Sequence, residues 1–258
     1  MRTKLELNYL AIKLRNLLKE DEYSYIDLFA AAKQIQYLTI VLYPFSEHIS
    51  GMCIKQKDAN LIAINSNMSY GRQRFSLAHE LYHLFYDEKD GTTITNMNYD
   101  ENSLTEKEAN IFASCLIAPY NSLRDKLEEY NYKINEDVLI KLEQYFGFSH
   151  MGLLTRLLSE SLITKEEYDK YSNINLTKLC NSLGYDNKLY LSNNENELYG
   201  TFGYYLIQAN KLKEKGKISD IKYHELLLDA YRSDLVYSNK SKEVINDWYL
   251  LFWYRLFI

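Results

Sequence analysis

Histidine is scarce in this 258-residue chain, at five, and so are proline, at two, cysteine, at three, and glycine, at nine. So little proline and glycine argues against long disordered linkers and favours helix. Cys53, Cys115 and Cys180 are odd in number and far apart, which suggests neither a disulfide framework nor a cysteine-built zinc site. No run of about 18 apolar residues is present to cross a bilayer, and the apolar tail WYLLFWYRLFI, residues 248–258, is too short to do so. The opening MRTKLELNYLAIKL interrupts its apolar residues with Lys4, Glu6 and Lys13, unlike a secretion signal. Excess positive charge is also missing: the formal net charge is −5, whereas nonspecific nucleic-acid binding rests on neutralising phosphates. The expectation is a cytoplasmic protein with no membrane span and no direct binding of nucleic acid.

What is present is an ordinary globular balance, 47% hydrophobic and 25% charged residues, in a length that suits one large domain or two small ones. LNYLAIKLRNLLKE repeats apolar residues at helical spacing, as does YIDLFAAAKQI, with Ser24 as its expected N-cap. YLTIVLYPF reads as a strand, and GMCIKQ and LIAINS flank KDAN as a hairpin. A helix is expected over residues 70–85 with Ser69 as cap, then a polar loop over 87–103. TEKEANIFASCLIA is a second strong helix, with Thr105 and Glu108 in capping-box register, closed by Pro119. Helices follow to about residue 172, with a further capping box at Thr164 and Glu167. Residues 186–200 read as a loop, and helices are expected over 202–214 and 220–235. These elements predict an α+β fold, mostly helical, with a short sheet packed on the 70–85 helix. The chain divides into a domain of residues 1–172 and a helical C-terminal region of residues 173–258.

Two of the five histidines fall in FSLAHELYHLFYDE, as His79-Glu80-x-x-His83. Four apart on a helix, they lie one turn above each other on one face, so both imidazoles can reach a single ion. Imidazole suits Zn²⁺, which in catalytic sites takes three protein ligands and leaves a place open. Glu80, beside a ligand but turned aside, is placed to act as a base toward water. The surrounding Leu77, Ala78, Leu81, Leu84 and Phe85 make the helix apolar, and buried polar groups need partners. A third ligand must come from elsewhere, with Glu106 and Glu108 as candidates. Glu106 shares a face with Ala109, Asn110 and Ala113, whose small side chains allow close helix approach, whereas Glu108 has the capping role. Asn110 is suited to orienting a ligand.

The run SYGRQRFSLAHELYHLFYD followed by EKEANIFASCLIAP resembles the ImmA/IrrE family of metallo-endopeptidases, over roughly residues 30–165. The matching positions are Arg72, Arg74 and Phe75, then His79, Glu80 and His83, then Glu106, Ala109, Asn110, Phe112, Ala113 and Pro119. The resemblance implies a minimal gluzincin, a zincin-like domain with His79, His83 and Glu106 as ligands and Glu80 as general base. It implies cleavage of a helix-turn-helix repressor, and so an anti-repressor role for a mobile element or prophage. Tyr82 stands where Gly is frequent in that family, a difference expected to alter packing only. Zinc is the expected ion, although Mn²⁺ and Fe²⁺ also accept two histidines and a carboxylate.

An oxyanion donor is also needed, for which Tyr120, Arg74 and His150 are candidates. For each a plainer role competes: packing for Tyr120, ion pairs near the helix start for Arg72 and Arg74, and a cap or surface position for His150. Residues 135–163 have helix-turn-helix form, but the second helix carries Arg156 as its only base beside Glu160, which suits structure or partner docking better than DNA. Two alternatives stand beside the peptidase: a metal-containing regulator that binds a repressor without cutting it, and a toxin–antitoxin component.

Overall fold

A computed structural model of the chain describes residues 1–87, 91–96 and 103–237. The chain forms two compact units, residues 1–204 and 205–258. The first begins with α1 (Lys4–Leu17), where Thr3 and Glu6 complete a capping box, and α2 (Leu28–Ala32). Next come β1 (Leu38–Tyr43), β2 (Ile49–Lys55), β3 (Asn60–Asn65), α3 (Tyr70–Tyr86), β4 (Gly91–Asn96) and α4 (Leu104–Ile117). The helical run comprises α5 (Tyr120–Glu129), α6 (Glu136–Phe146), α7 (His150–Ser159), α8 (Lys165–Tyr171) and α9 (Leu176–Ser182). β5 (Gly200–Gly203) and α10 (Tyr204–Glu214) lead into α11 (Asp220–Asp229) and α12 (Ser233–Tyr237). The fold is α+β and mostly helical.

The five strands form one mixed sheet in the order β4-β2-β3-β1-β5. β2 and β3 are the expected antiparallel hairpin, with Cys53 opposite Ile62, while β1 runs parallel to β3, with Ile40 opposite Ile62. α3 packs against β2 and β3 on one side and against α4 on the other, and α4 also packs on α1. One core joins these layers: Leu7, Ala11 and Leu14 from α1, Leu77, Ala78 and Leu81 from α3, and Ala109, Phe112 and Ala113 from α4 are all fully buried. Full burial of side chains this size contributes about 1.5–3 kcal/mol each for the large ones, before entropy costs.

Several elements differ from the sequence reading. The 87–103 loop contains β4, which pairs with β2 from Ile49↔Asn96 to Lys55↔Gly91. Residues 200–203, expected in part as helix, form β5 and pair with β1 within the first unit. Asp27, not Ser24, caps α2 by accepting from the Ala30 N–H at 3.1 Å, and the Ser24 carbonyl instead accepts from the buried Arg15 guanidinium. Ser103, not Thr105, caps α4. The capping box at Thr164 and Glu167 forms as expected. The apolar tail at 248–258 lies outside the described residues.

α6 and α7 pack together across a turn at Gly147, whose φ of +69° is left-handed backbone that a residue with a Cβ resists. Ser149 caps α7, and Arg156 is buried rather than displayed on a surface. Within the second unit, among the described residues, Leu227 of α11 is buried and α11 packs on α12.

Candidate metal centre

α3 is the element that builds the site, and its two sides do different work. His79 and His83 face α4, and both are buried. Ala109 and Ala113, fully buried, leave no bulk between the helices, so α4 can bring Glu106 against the imidazoles. His79 Nε2 lies 3.1 Å from Glu106 Oε2, His83 Nε2 lies 3.4 Å from Glu106 Oε1, and the two Nε2 atoms are 3.1 Å apart. Donors bound about 2.0–2.1 Å from a tetrahedral ion sit roughly 3.3 Å from each other. The three side chains therefore hold their donor atoms at the spacing of three corners around one cation, and they are the cluster suited to a metal among the described residues.

The other ring nitrogens explain why both Nε2 atoms point the same way. His79 Nδ1 is 2.9 Å from Asn110 Oδ1, one turn along α4 from Glu106, and His83 Nδ1 is 3.1 Å from Asp87 Oδ2 at the end of α3. An acceptor at Nδ1 favours the tautomer with the proton there, leaving the Nε2 lone pair for a metal. Burial alone would raise the Glu106 carboxyl, but the His79 and His83 rings hold it well below the usual carboxylate range. Burial would lower His83, yet the carboxylates around it, Glu106 first, raise it above its ordinary value.

Glu80 turns from the same helix toward β2, near enough to His79, His83 and Glu106 for their charges to act on it. It is completely buried, and neither carboxylate oxygen has a hydrogen-bond partner among the described residues. Burial pushes its carboxyl up from the ordinary carboxylate value. Only the His79 and His83 rings and the Thr95 hydroxyl offset that burial, and a buried polar group so thinly compensated costs about 2–7 kcal/mol, so an acid here calls for a role. Its place depends on Gly51 of β2: a Cβ there would come within 2.7 Å of Glu80 Oε1 and 3.1 Å of Cγ. Gly51→Ala is expected to push the carboxylate aside and lower turnover by about ten- to a hundredfold, with metal content unchanged. Equal turnover for the variant and the parent chain would remove Gly51 from the account.

Glu108, the rival ligand, is engaged elsewhere. It bonds the Arg2 backbone and guanidinium and accepts from the Tyr82 hydroxyl. The capping role read for Glu108 is thus replaced by an anchor for the chain's start. Tyr82 packs its ring on Phe112 at 5.5 Å and points its hydroxyl away from the histidines' ligand atoms, into that anchor.

The three oxyanion candidates have their polar atoms committed to other partners. Arg74, expected in ion pairs, instead donates to the carbonyls of Gly147, Ile26 and Phe146 and to the Tyr25 hydroxyl, tying α3 to the α6–α7 turn. The Tyr120 hydroxyl donates to Glu160 at 2.9 Å, and the Arg156 guanidinium sits 4.5 Å over its ring. His150 is the first residue of α7, directly after its cap Ser149, but is buried rather than on the surface: Nδ1 lies 2.7 Å from Glu143 Oε1 and Nε2 lies 2.9 Å from the Tyr171 carbonyl. Both ring nitrogens thus face oxygen atoms able to accept from them. Burial would lower the ring's pKa, but the Glu143 hydrogen bond and charge raise it above the ordinary histidine value. A raised folded value stabilises fully below the unfolded pKa, near about 6.5, and is lost as pH climbs through the folded one. Denaturation midpoints should therefore fall as pH rises from about 6.5 upward, and His150→Gln should flatten that slope. An unchanged slope in the variant would locate the titration elsewhere.

Sequence reasoning missed Asp87 and Gly51. Asp87 has a local signal, since it lies four residues after His83; Gly51 has none.

The class defined here is an α+β protein with two histidines and one carboxylate grouped so that they could hold a metal, beside a fully buried acid. Residues 38–158, a little under half the chain, match the family model of the IrrE N-terminal-like domain, Peptidase M78. That match agrees with the ImmA/IrrE resemblance of the chain's motifs. Comparison with curated proteins finds no match. Among the described residues, no helix is long and apolar enough to cross a membrane.

Proposed function

We propose that this chain is a zinc-dependent endopeptidase of gluzincin type that cleaves a helix-turn-helix transcriptional repressor, and so acts as an anti-repressor for a mobile element or prophage. The observation that carries the hydrolase reading is the trio His79, His83 and Glu106 at tetrahedral spacing with the unpaired Glu80 next to it. The nitrogen and carboxylate donors and their spacing favour zinc. The α3–sheet packing and the family match support the zincin-like fold. The repressor as substrate rests on the resemblance alone.

In this reading His79, His83 and Glu106 hold the ion, while Asn110 and Asp87 fix the two rings. Once bound, a zinc ion supplies Lewis-acid polarisation of the scissile carbonyl and a lowered pKa for water. Glu80 accepts the proton of the attacking water and later gives it to the leaving amine, a double use that its raised pKa suits. The dry surroundings of Glu80 keep that proton from exchanging with bulk solvent. The experiment is incubation of the zinc-loaded chain with the helix-turn-helix repressor encoded nearest to its own gene, read by mass spectrometry. A single chelator-sensitive cut is expected. An intact repressor that binds the chain tightly would favour the non-catalytic regulator instead.

A further inference from the structure

A cavity of about 720 Å³ opens in the first unit beside the metal cluster, and the proposed chemistry leaves it without a task. Its size is that of sites that enclose a drug-sized ligand or several residues of a peptide, roughly 300–1,000 Å³. The cavity shares a wall with the cluster. Asn110, which holds His79, lines it, and so does Ser76, one turn before Glu80 on α3. On α4, Glu106, Asn110 and Ser114 follow at four-residue steps on one face, and on α3 so do Arg72, Ser76, His79 and His83 at three- and four-residue steps. The cavity is thus the continuation of the metal cleft along both helices.

Its lining is apolar in the main, with Phe75, Ile111, Met151 and Leu176 among the contributors. The charged side chains in the wall are Lys4, Arg72, Arg156 and one carboxylate, Glu160, which contacts Lys4 and Arg156. Arg156 is only 4% exposed. Its Nη1 donates to Ser114 Oγ at 2.6 Å, and its Nε lies 3.4 Å from Glu160 Oε1. Nε and Nη2 are nevertheless without a hydrogen-bond partner among the described residues. A buried guanidinium with unused donors costs stability unless an acceptor arrives, and carboxylates suit its planar fork.

We propose that this cavity is a recognition subsite for an acidic side chain, aspartate or glutamate, carried on an otherwise apolar stretch of the peptide substrate. The proposal rests on the peptidase reading and names what that site selects. Ser114, the partner of Arg156, is eight residues from Glu106, about 12 Å of helix rise. An extended peptide covers about 3.3 Å per residue, so the acidic residue falls roughly three to four positions from the scissile bond.

The test is fluorescence anisotropy with the zinc-loaded full chain bearing Glu80→Gln, which prevents cutting. The probes are octapeptide pools of Ala, Leu and Phe with one fixed Glu, against matched pools with Gln in its place. The Glu pools should bind about tenfold tighter or better, as expected for a charged hydrogen bond in a buried site. Arg156→Gln and the exposed Arg72→Gln should each shrink that difference, and Thr155→Trp, exposed on the cavity wall, should weaken both pools. Circular dichroism checks each fold; if Arg156→Gln does not fold, Arg72→Gln carries the test. Equal binding of Glu and Gln pools, or a preference that survives the arginine variants, overturns the proposal. Metal content and cutting by the Glu80-intact chain are measured separately, so failure of the peptidase reading is visible apart from loss of acid preference.

Discussion

Glu80→Gln is expected to lower peptide hydrolysis by about 10³-fold, within the 10²- to 10⁴-fold range of a positioned acid–base group, while zinc binding stays intact. The amide matches the carboxylate in volume, so the packing under Gly51 is kept. It cannot take a proton from water, and that is the function argued for a buried acid with two unpartnered oxygens. The metal cluster is built on the α4-facing side of α3 and does not use Glu80, so binding and catalysis should separate cleanly. The fold could even gain stability, because a buried acid without partners is replaced by a neutral group. The same variant separates the readings in cells. Derepression lost with metal retained supports cutting, and derepression retained supports a repressor-binding regulator. Growth arrest on expression without the neighbouring gene would support the toxin–antitoxin reading.

Glu106→Ala should abolish tight metal binding and activity together. Of the three donors it is the only one from α4, and its loss leaves two imidazoles 3.1 Å apart with no anion between them. Asn110→Ala and Asp87→Ala keep all three donors and remove only the acceptors at Nδ1, so each should weaken metal affinity by about 10- to 100-fold. Isothermal titration with Zn²⁺ gives the ranking directly. An Asp87 variant that binds zinc as tightly as the parent chain would show that the 3.1 Å contact to His83 has no part in holding the ring. Glu108→Ala serves as the contrast, since its carboxylate bonds Arg2 and Tyr82 and should affect stability without changing metal affinity.

The residues that the sequence made legible are those whose relation is local. His79 and His83 share a helix face by spacing alone, and Glu106, Asn110 and the two alanines share another. Only the meeting of the two faces needed coordinates. The β2–β3 hairpin and the Thr164 capping box are local as well, and both form. Failures fall where a local pattern was ambiguous or the partner was distant. Ser103 and Thr105 both stand three residues before a glutamate, so two caps competed for one helix start. The contacts of Glu108 with Arg2 and Tyr82, remote in sequence, decide between them. β4 and β5 are short and polar or glycine-rich, and each becomes a strand because an edge of the sheet offers it backbone partners. Arg74 read as an ion-pairing group near the helix start and His150 as a cap-region or surface residue, yet both are buried, with carbonyls and Glu143 as their partners. Gly51 could be recognised only once Glu80 was seen against it.

The central claim is that His79, His83 and Glu106 converge on one ion, and anomalous diffraction at the zinc edge from crystals of the zinc-loaded chain tests it most directly. The account predicts one strong peak per chain, about 2.0–2.2 Å from both Nε2 atoms and a Glu106 oxygen. A chain with no peak there, or with its zinc held by other side chains, would contradict it.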